Sequence, residues 1–441
     1  MSAVLIFVFL IGYLLIAIEH SIKVDKAAAA LITGVLCWIT LVFGVADMPD
    51  AVSLMTTSTH GDHQVNVLLA EHIGKIAEIL FFLLAAMTIV EVVDAHDGFR
   101  IITERITTAH PVKLLWILSW VTFFLSAVLD NLTTAIVICA LLRRIIPEQE
   151  KKWLYGGFAI IAANAGGAWS PIGDVTTIML WIGGQVTTFN IIKSTFLASF
   201  ASLLVPLLFL TFRMQKRKSL QETPEMQPPA DPHSASRAEQ NIVFFLGVIA
   251  LLWVPFFKTY THMPPYMGIL LSLGILWVAT ELIHRSKHPD VKSKFSVSKI
   301  LQRIDTPSIL FFLGILLAVT ALESSGHLKV MADTINQVSD NIYLINSLIG
   351  VISSIVDNVP LVAACMGMYD FTVFPPDHDF WELLAYCAGT GGSILIIGSA
   401  AGVATMGLLK IDFVWYLKKI SFYALAGYFA GIGIYYIQHH L

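Results

Sequence analysis

Ionised side chains are scarce. Asp, Glu, Lys and Arg make up only 13% of the 441 residues, about half the share of a soluble protein. So thin a supply cannot cover a water-facing surface on a chain this long, which sets aside a soluble enzyme. A basic excess is missing too. The formal net charge is −4, and no basic face is present to attract phosphate, so no nucleic-acid partner is expected. The only cysteines, Cys37, Cys139, Cys365 and Cys387, are scattered through apolar segments without CxxC or Cys/His spacing. Neither a disulfide framework nor a zinc site is suggested. The apolar run from Val4 to Ile18 lacks a basic leader and a small-residue cleavage site, so it reads as a retained span rather than a signal peptide.

Apolar residues are what the chain has in abundance, at 56%, and they fall in blocks long enough to cross a hydrocarbon layer. The expected fold is an all-α polytopic membrane protein. Spanning segments are expected at 3–19, 27–45, 76–93, 153–190, 192–212, 241–257, 266–284, 307–323, 381–409 and 412–438. The stretches 112–146 and 341–369 hold polar residues near their middles and read as re-entrant hairpins. Segments 153–190 and 381–409 exceed one span and contain glycines and polar residues, which suggests broken helices. With both hairpins re-entrant, the Lys/Arg-rich loops collect on one side. The opposite loops hold only Lys75 in 46–75, only Lys329 in 324–340 and none in 370–380. The basic side is expected in the cytoplasm, with both termini outside a cell (inner) membrane.

Two halves resemble each other. ILFF recurs at 79–82 and 309–312, SAVLDN at 126–131 answers SSIVDN at 353–358, and Gly166–Gly167 answers Gly391–Gly392. Under the last offset Asp174 meets Ser399. The orientation above makes the repeats inverted, a transporter signature. The organisation is then 1–75, N-terminal spans and an external loop; 76–212, the first repeat with hairpin 112–146 and broken helix 153–190; 213–240, a polar, Pro-rich cytoplasmic linker; 241–306, connecting spans and a basic loop; and 307–441, the second repeat with hairpin 341–369 and broken helix 381–409.

A charge deep in a bilayer segment costs roughly 2.5–3.5 kcal/mol on insertion scales. Asp130, Asp174 and Asp357 each sit at a break of a hairpin or broken helix. Helix capping is the plain reading of Asp130-Asn131 and Asp357-Asn358, with Thr133/Thr134 or Pro360 in the next turn. It explains the asparagines better than the acids, so Asn is expected to cap and Asp to face a cavity. Carboxylate, hydroxyl, amide and backbone oxygens together make a hard-cation site. Three acids against no Lys or Arg at the breaks favour a cation over an anionic substrate. Glu78, Glu91, Glu323 and Glu382 lie near span ends and read as interfacial. His20, His60, His63, His72 and His96 read as loop or span-end surface groups.

The segments SAVLDNLTTAIV, AANAGGAWSPIGDVTTIMLWIGGQ, SSIVDNVPLVAACMGMY and FWELLAYCAGTGGSILIIGSAAGVATMG closely resemble the NhaD-type sodium/proton antiporters of the ion transporter superfamily. The resemblance covers nearly the whole membrane portion, but not 213–240. It implies exchange of cytoplasmic Na⁺ or Li⁺ for external H⁺, no cofactor beyond those ions, and a homodimer moving by an elevator mechanism. Position by position, it implies an ion site of Asp130, Asn131, Thr134, Asp174, Thr176, Asp357 and Asn358, with Na⁺ at the three acids. Ser399 joins on repeat symmetry. The alternatives are a Na⁺-coupled organic-anion symporter, or an arsenite permease or ion channel on the same scaffold.

Overall fold

A backbone in lipid has to satisfy its own hydrogen bonds, so long apolar runs resolve into helices. The computed structural model of the chain describes residues 2–17, 23–44, 61–104, 106, 108, 110–216, 236–285, 287 and 295–440, and among these there are helices and no strands. In chain order they are α1 (Ser2–Ala17), α2 (Lys26–Gly44), α3 (Gly61–Ala95), α4 (Pro111–Leu129), α5 (Asn131–Ile145), α6 (Gln149–Ala168), α7 (Val175–Ile182), α8 (Thr188–Lys216) and α9 (Arg237–Thr261). There follow α10 (Pro265–Ile283), α11 (Thr306–Ser324), α12 (His327–Val338), α13 (Ile342–Ser353), α14 (Asn358–Met368), α15 (Asp379–Gly391), α16 (Ala400–Leu409), α17 (Phe413–Lys419) and α18 (Ser421–His440). Short turns of helix at Arg100–Thr103 and Val297–Ile300 are left unlabelled.

Helices α2, α3, α4, α8, α9, α10 and α11 are each long and apolar enough to cross a membrane. The chain is an all-helical, multi-pass membrane protein. Phe43, Phe256 and Leu282 remain largely exposed on three of these helices, as lipid-facing side chains do and water-facing ones seldom do. Starts are set locally. Pro111 and Pro265 open α4 and α10, where a missing N–H costs nothing. Ser236 and Glu239 form a reciprocal capping box on α9. Helices α2 and α11 pack backbone to backbone, since a Cβ at Gly314 would lie 2.4 Å from the Ala30 carbonyl carbon.

The expected broken helices are present. Segment 153–190 divides into α6 and α7 around residues 169–174, and 381–409 into α15 and α16 around 392–399. Segment 112–146 is α4 and α5 with Asp130 alone between them, and 341–369 is α13 and α14 around 354–357. Helix α4, expected as one arm of a hairpin, has the length of a full span.

Other expectations need correction. Segment 412–438 is two helices rather than one span: Asp412 caps α17, which ends at Ile420 before α18 begins, and α17 itself turns 115° away from α16 after Lys410 takes a left-handed φ of 54°. Residues 61–75 are the start of α3 rather than loop, and 324–340 contains α12. The polar segment 213–240 is helical at both margins, and 217–235 lie outside the described residues. His96, read as a surface group, is fully buried with its Nε2 2.8 Å from His284 Nε2, and His72 is buried as well. His20 and His60 fall outside the described residues.

Candidate functional site

A helix that starts inside a membrane exposes N–H groups with no water to receive them, so each break needs a local acceptor. Four side chains supply it. Asp130 caps α5, accepting at 2.8 Å from both the backbone N–H and the hydroxyl of Thr133. Asp174 caps α7, with Oδ1 accepting at 3.0 Å from the N–H and the hydroxyl of Thr176. Asp357 caps α14 through the N–H of Val359 at 3.2 Å, and Ser399 caps α16 through that of Gly402, also at 3.2 Å. The expectation that Asn131 and Asn358 would cap is therefore corrected: each asparagine is the first helical residue, and the acid before it is the cap. An ionised cap also gains from the positive end of the helix dipole.

Freed from capping, Asn131 reaches across. Its Nδ2 donates to Asp174 Oδ2 at 2.7 Å and to Asn164 Oδ1 at 3.1 Å. Asn164, fully buried on α6, donates in turn to Ser393 Oγ and Ser399 Oγ, both at 2.9 Å. One continuous polar chain thus joins the break before α7 to the break before α16. Neither Asn164 nor Ser393 was a candidate from sequence. The only signal was an amide within the otherwise apolar run before Gly166.

Asp130, Asn131, Asp174, Asp357 and Asn358 line a single cleft. Thr176 and Ser399 join through the hydrogen bonds above. Thr134 is buried, and its hydroxyl has no hydrogen-bond partner among the described residues. Glu91 and Glu323 are not among the cleft-lining residues.

Lys26 changes the charge pattern. It opens α2 with its Nζ 3.4 Å from Asp357 Oδ2 and 4.5 Å from the ring centre of Phe311, and it lines the same cleft. A basic group does reach a break. It comes from a distant part of the chain on a long, flexible stem, which spacing within the hairpin could not reveal.

The three acids therefore differ. Among the described residues Asp174 has no ion pair; it is 1% exposed and surrounded by amide and hydroxyl groups. Asp357 faces an ammonium, and both Asp130 oxygens accept from Thr133. Carboxylate, amide and hydroxyl oxygens are the donors a hard monovalent or divalent cation takes.

Residues 13–381 match the family model described as citrate transporter. Two proteins of Arabidopsis thaliana, named sodium/proton antiporter 1 and sodium/proton antiporter 2, are 48% and 46% identical over 98% of this chain, which spans 71% and 98% of their lengths. A Vibrio cholerae protein named Na(+)/H(+) antiporter NhaD is 31% identical over 98% of this chain and 91% of its own.

Proposed function

The chain belongs to the citrate-transporter family as an NhaD-type sodium/proton antiporter, and from that premise we propose that it exchanges cytoplasmic Na⁺ or Li⁺ for external H⁺ by alternating access. The observation that carries the reading is Asp174: a buried carboxylate without a basic partner among the described residues, set at a helix break and lining a mostly apolar cleft. Ionised, it holds a cation; protonated, it releases it. One site opened to each side in turn then couples the two ions by competition, with no separate device. The site we propose comprises Asp130, Asn131, Thr134, Asp174, Thr176, Asp357, Asn358 and Ser399. Asn164 is added as the residue that orients Asn131 and Ser399.

The inverted repeat, the two re-entrant hairpins and a homodimer belong to the same proposal. In support, equivalent contacts recur in both halves: Ser126 Oγ donates to the Ala163 carbonyl at 2.6 Å, and Ser353 Oγ to that of Ala388 at 2.8 Å. A Na⁺-coupled organic-anion symporter is the second reading, favoured by Lys26, whose ammonium in the cleft could hold a carboxylate.

Purified protein in vesicles loaded with a pH dye distinguishes the two. Antiport moves lumenal pH on addition of Na⁺ alone, whereas a symporter requires an organic anion and a channel shows no obligatory exchange. In the same assay Asp174→Asn should abolish Na⁺-driven proton movement. Ser399→Ala should raise half-saturating Na⁺ by up to about tenfold, the worth of one hydrogen bond at roughly 0.5–1.5 kcal/mol. A dead Ser399→Ala beside an active Asp174→Asn would remove the exchanging role from position 174.

A further inference from the structure

Far from the breaks, three side chains converge where α15 begins and α18 ends. Asp379, Glu382 and His439 each offer one ligand atom, and these atoms all lie within 4.8 Å of one another. His439 Nε2 is 3.5 Å from Glu382 Oε2 and 4.0 Å from Asp379 Oδ1. The other ring nitrogen, Nδ1, is 2.9 Å from the backbone carbonyl of Tyr435. A carbonyl only accepts, so Nδ1 carries the hydrogen, and in the neutral ring Nε2 turns a lone pair toward two carboxylates. Among the described residues neither acid is ion-paired to Lys or Arg. Three electron-pair donors facing one another repel unless the ring takes up a proton or a metal cation sits between them.

We infer that Asp379, Glu382 and His439 form a binding site for a divalent transition-metal cation of the zinc class. With bonds of about 2.0–2.2 Å in tetrahedral geometry, ligand atoms stand about 3.4 Å apart. The 3.5 Å edge fits as it stands. The 4.0 Å edge would close by a small rotation of Asp379, whose side chain is 41% exposed. The outer shell is built. Glu382 is 3% exposed in its side chain; its Oε2 accepts from the Tyr435 hydroxyl at 2.7 Å and its Oε1 from the Asn190 amide, the kind of support that orients metal ligands. The imidazole selects the cation, since Na⁺ and Mg²⁺ prefer oxygen donors alone whereas zinc-class ions accept nitrogen. Occupancy ties the start of α15 to the end of α18.

The test is a calorimetric Zn²⁺ titration of the full chain in detergent, purified without a polyhistidine tag. One saturable site is expected, with a melting temperature that rises on Zn²⁺ addition. His439→Gln and Asp379→Asn, both partly exposed positions, should each weaken binding at least tenfold, abolish the Zn²⁺-dependent rise, and keep the wild-type melting temperature in chelator. Wild-type-like affinity in both variants overturns the inference. So does a wild type that binds no Zn²⁺, which would leave an imidazolium ion as what occupies the cluster.

Discussion

Asp130 holds its backbone at φ 91° and ψ 160°, a region that only glycine enters freely and that costs other residues about 1–3 kcal/mol. A non-glycine there is retained against that strain, and the carboxylate is what it adds. Asp130→Gly relieves the strain while losing the cap to Thr133, worth about 0.5–2 kcal/mol. The two effects should nearly cancel, leaving the melting temperature within a few degrees of wild type while Na⁺-driven proton movement in vesicles is lost. Transport at the wild-type rate would reduce Asp130 to a cap. Lys26 makes a different case. Its ammonium lies 3.4 Å from Asp357 Oδ2, so in the proposed site it would compete with Na⁺ for that carboxylate. Lys26→Gln should lower half-saturating Na⁺ in the vesicle assay; an unchanged or higher value would make the pair purely structural.

At the level of elements, the proposed function depends on helices that break and on backbones close enough to share the breaks. A Cβ at Gly391 would lie 2.1 Å from the Gly350 carbonyl oxygen, and one at Gly166 would lie 2.1 Å from that of Phe123. In each case the obstruction is backbone, which has no rotamer with which to yield. Gly391→Ala should therefore separate α13 from α15 and sharply lower the yield of folded protein and its melting temperature. Gly433→Ala on α18, with no atom within 4 Å of the new methyl, is the control. It should be neutral or slightly stabilising, as Gly→Ala is in an unobstructed helix. The paired glycines were legible as a motif. The carbonyl that each one faces was not.

For the whole molecule the proposed inverted repeat makes a sidedness prediction. In a background lacking Cys37, Cys139, Cys365 and Cys387, all buried, Leu132→Cys in the first turn of α5 should react with an impermeant reagent more readily from the cytoplasm. Leu361→Cys in the first turn of α14 should react more readily from outside. Identical sidedness would sink the inverted arrangement and leave the recurring contacts as a repeat without alternating access.

The sequence by itself determined the class of molecule and the places where its helices break. Charge scarcity, apolar block length, and Asp, Gly and Pro at mid-segment act within a few residues of one another, so their consequences follow from local spacing. That is why Asp130, Asp174 and Asp357 were found as break residues, whereas Ser399 came from the offset between the two halves and the turn between α16 and α17 was missed. What each of them faces was decided only by the tertiary structure. Asn164 links Asn131 to Ser399 across 235 positions at its longer reach, Lys26 meets Asp357 across 331, and Glu382 meets Asn190 across 192. No periodicity encodes such pairs. They exist because helices distant in the chain pack side by side, and a buried polar atom must then be satisfied by whatever that packing brings within reach.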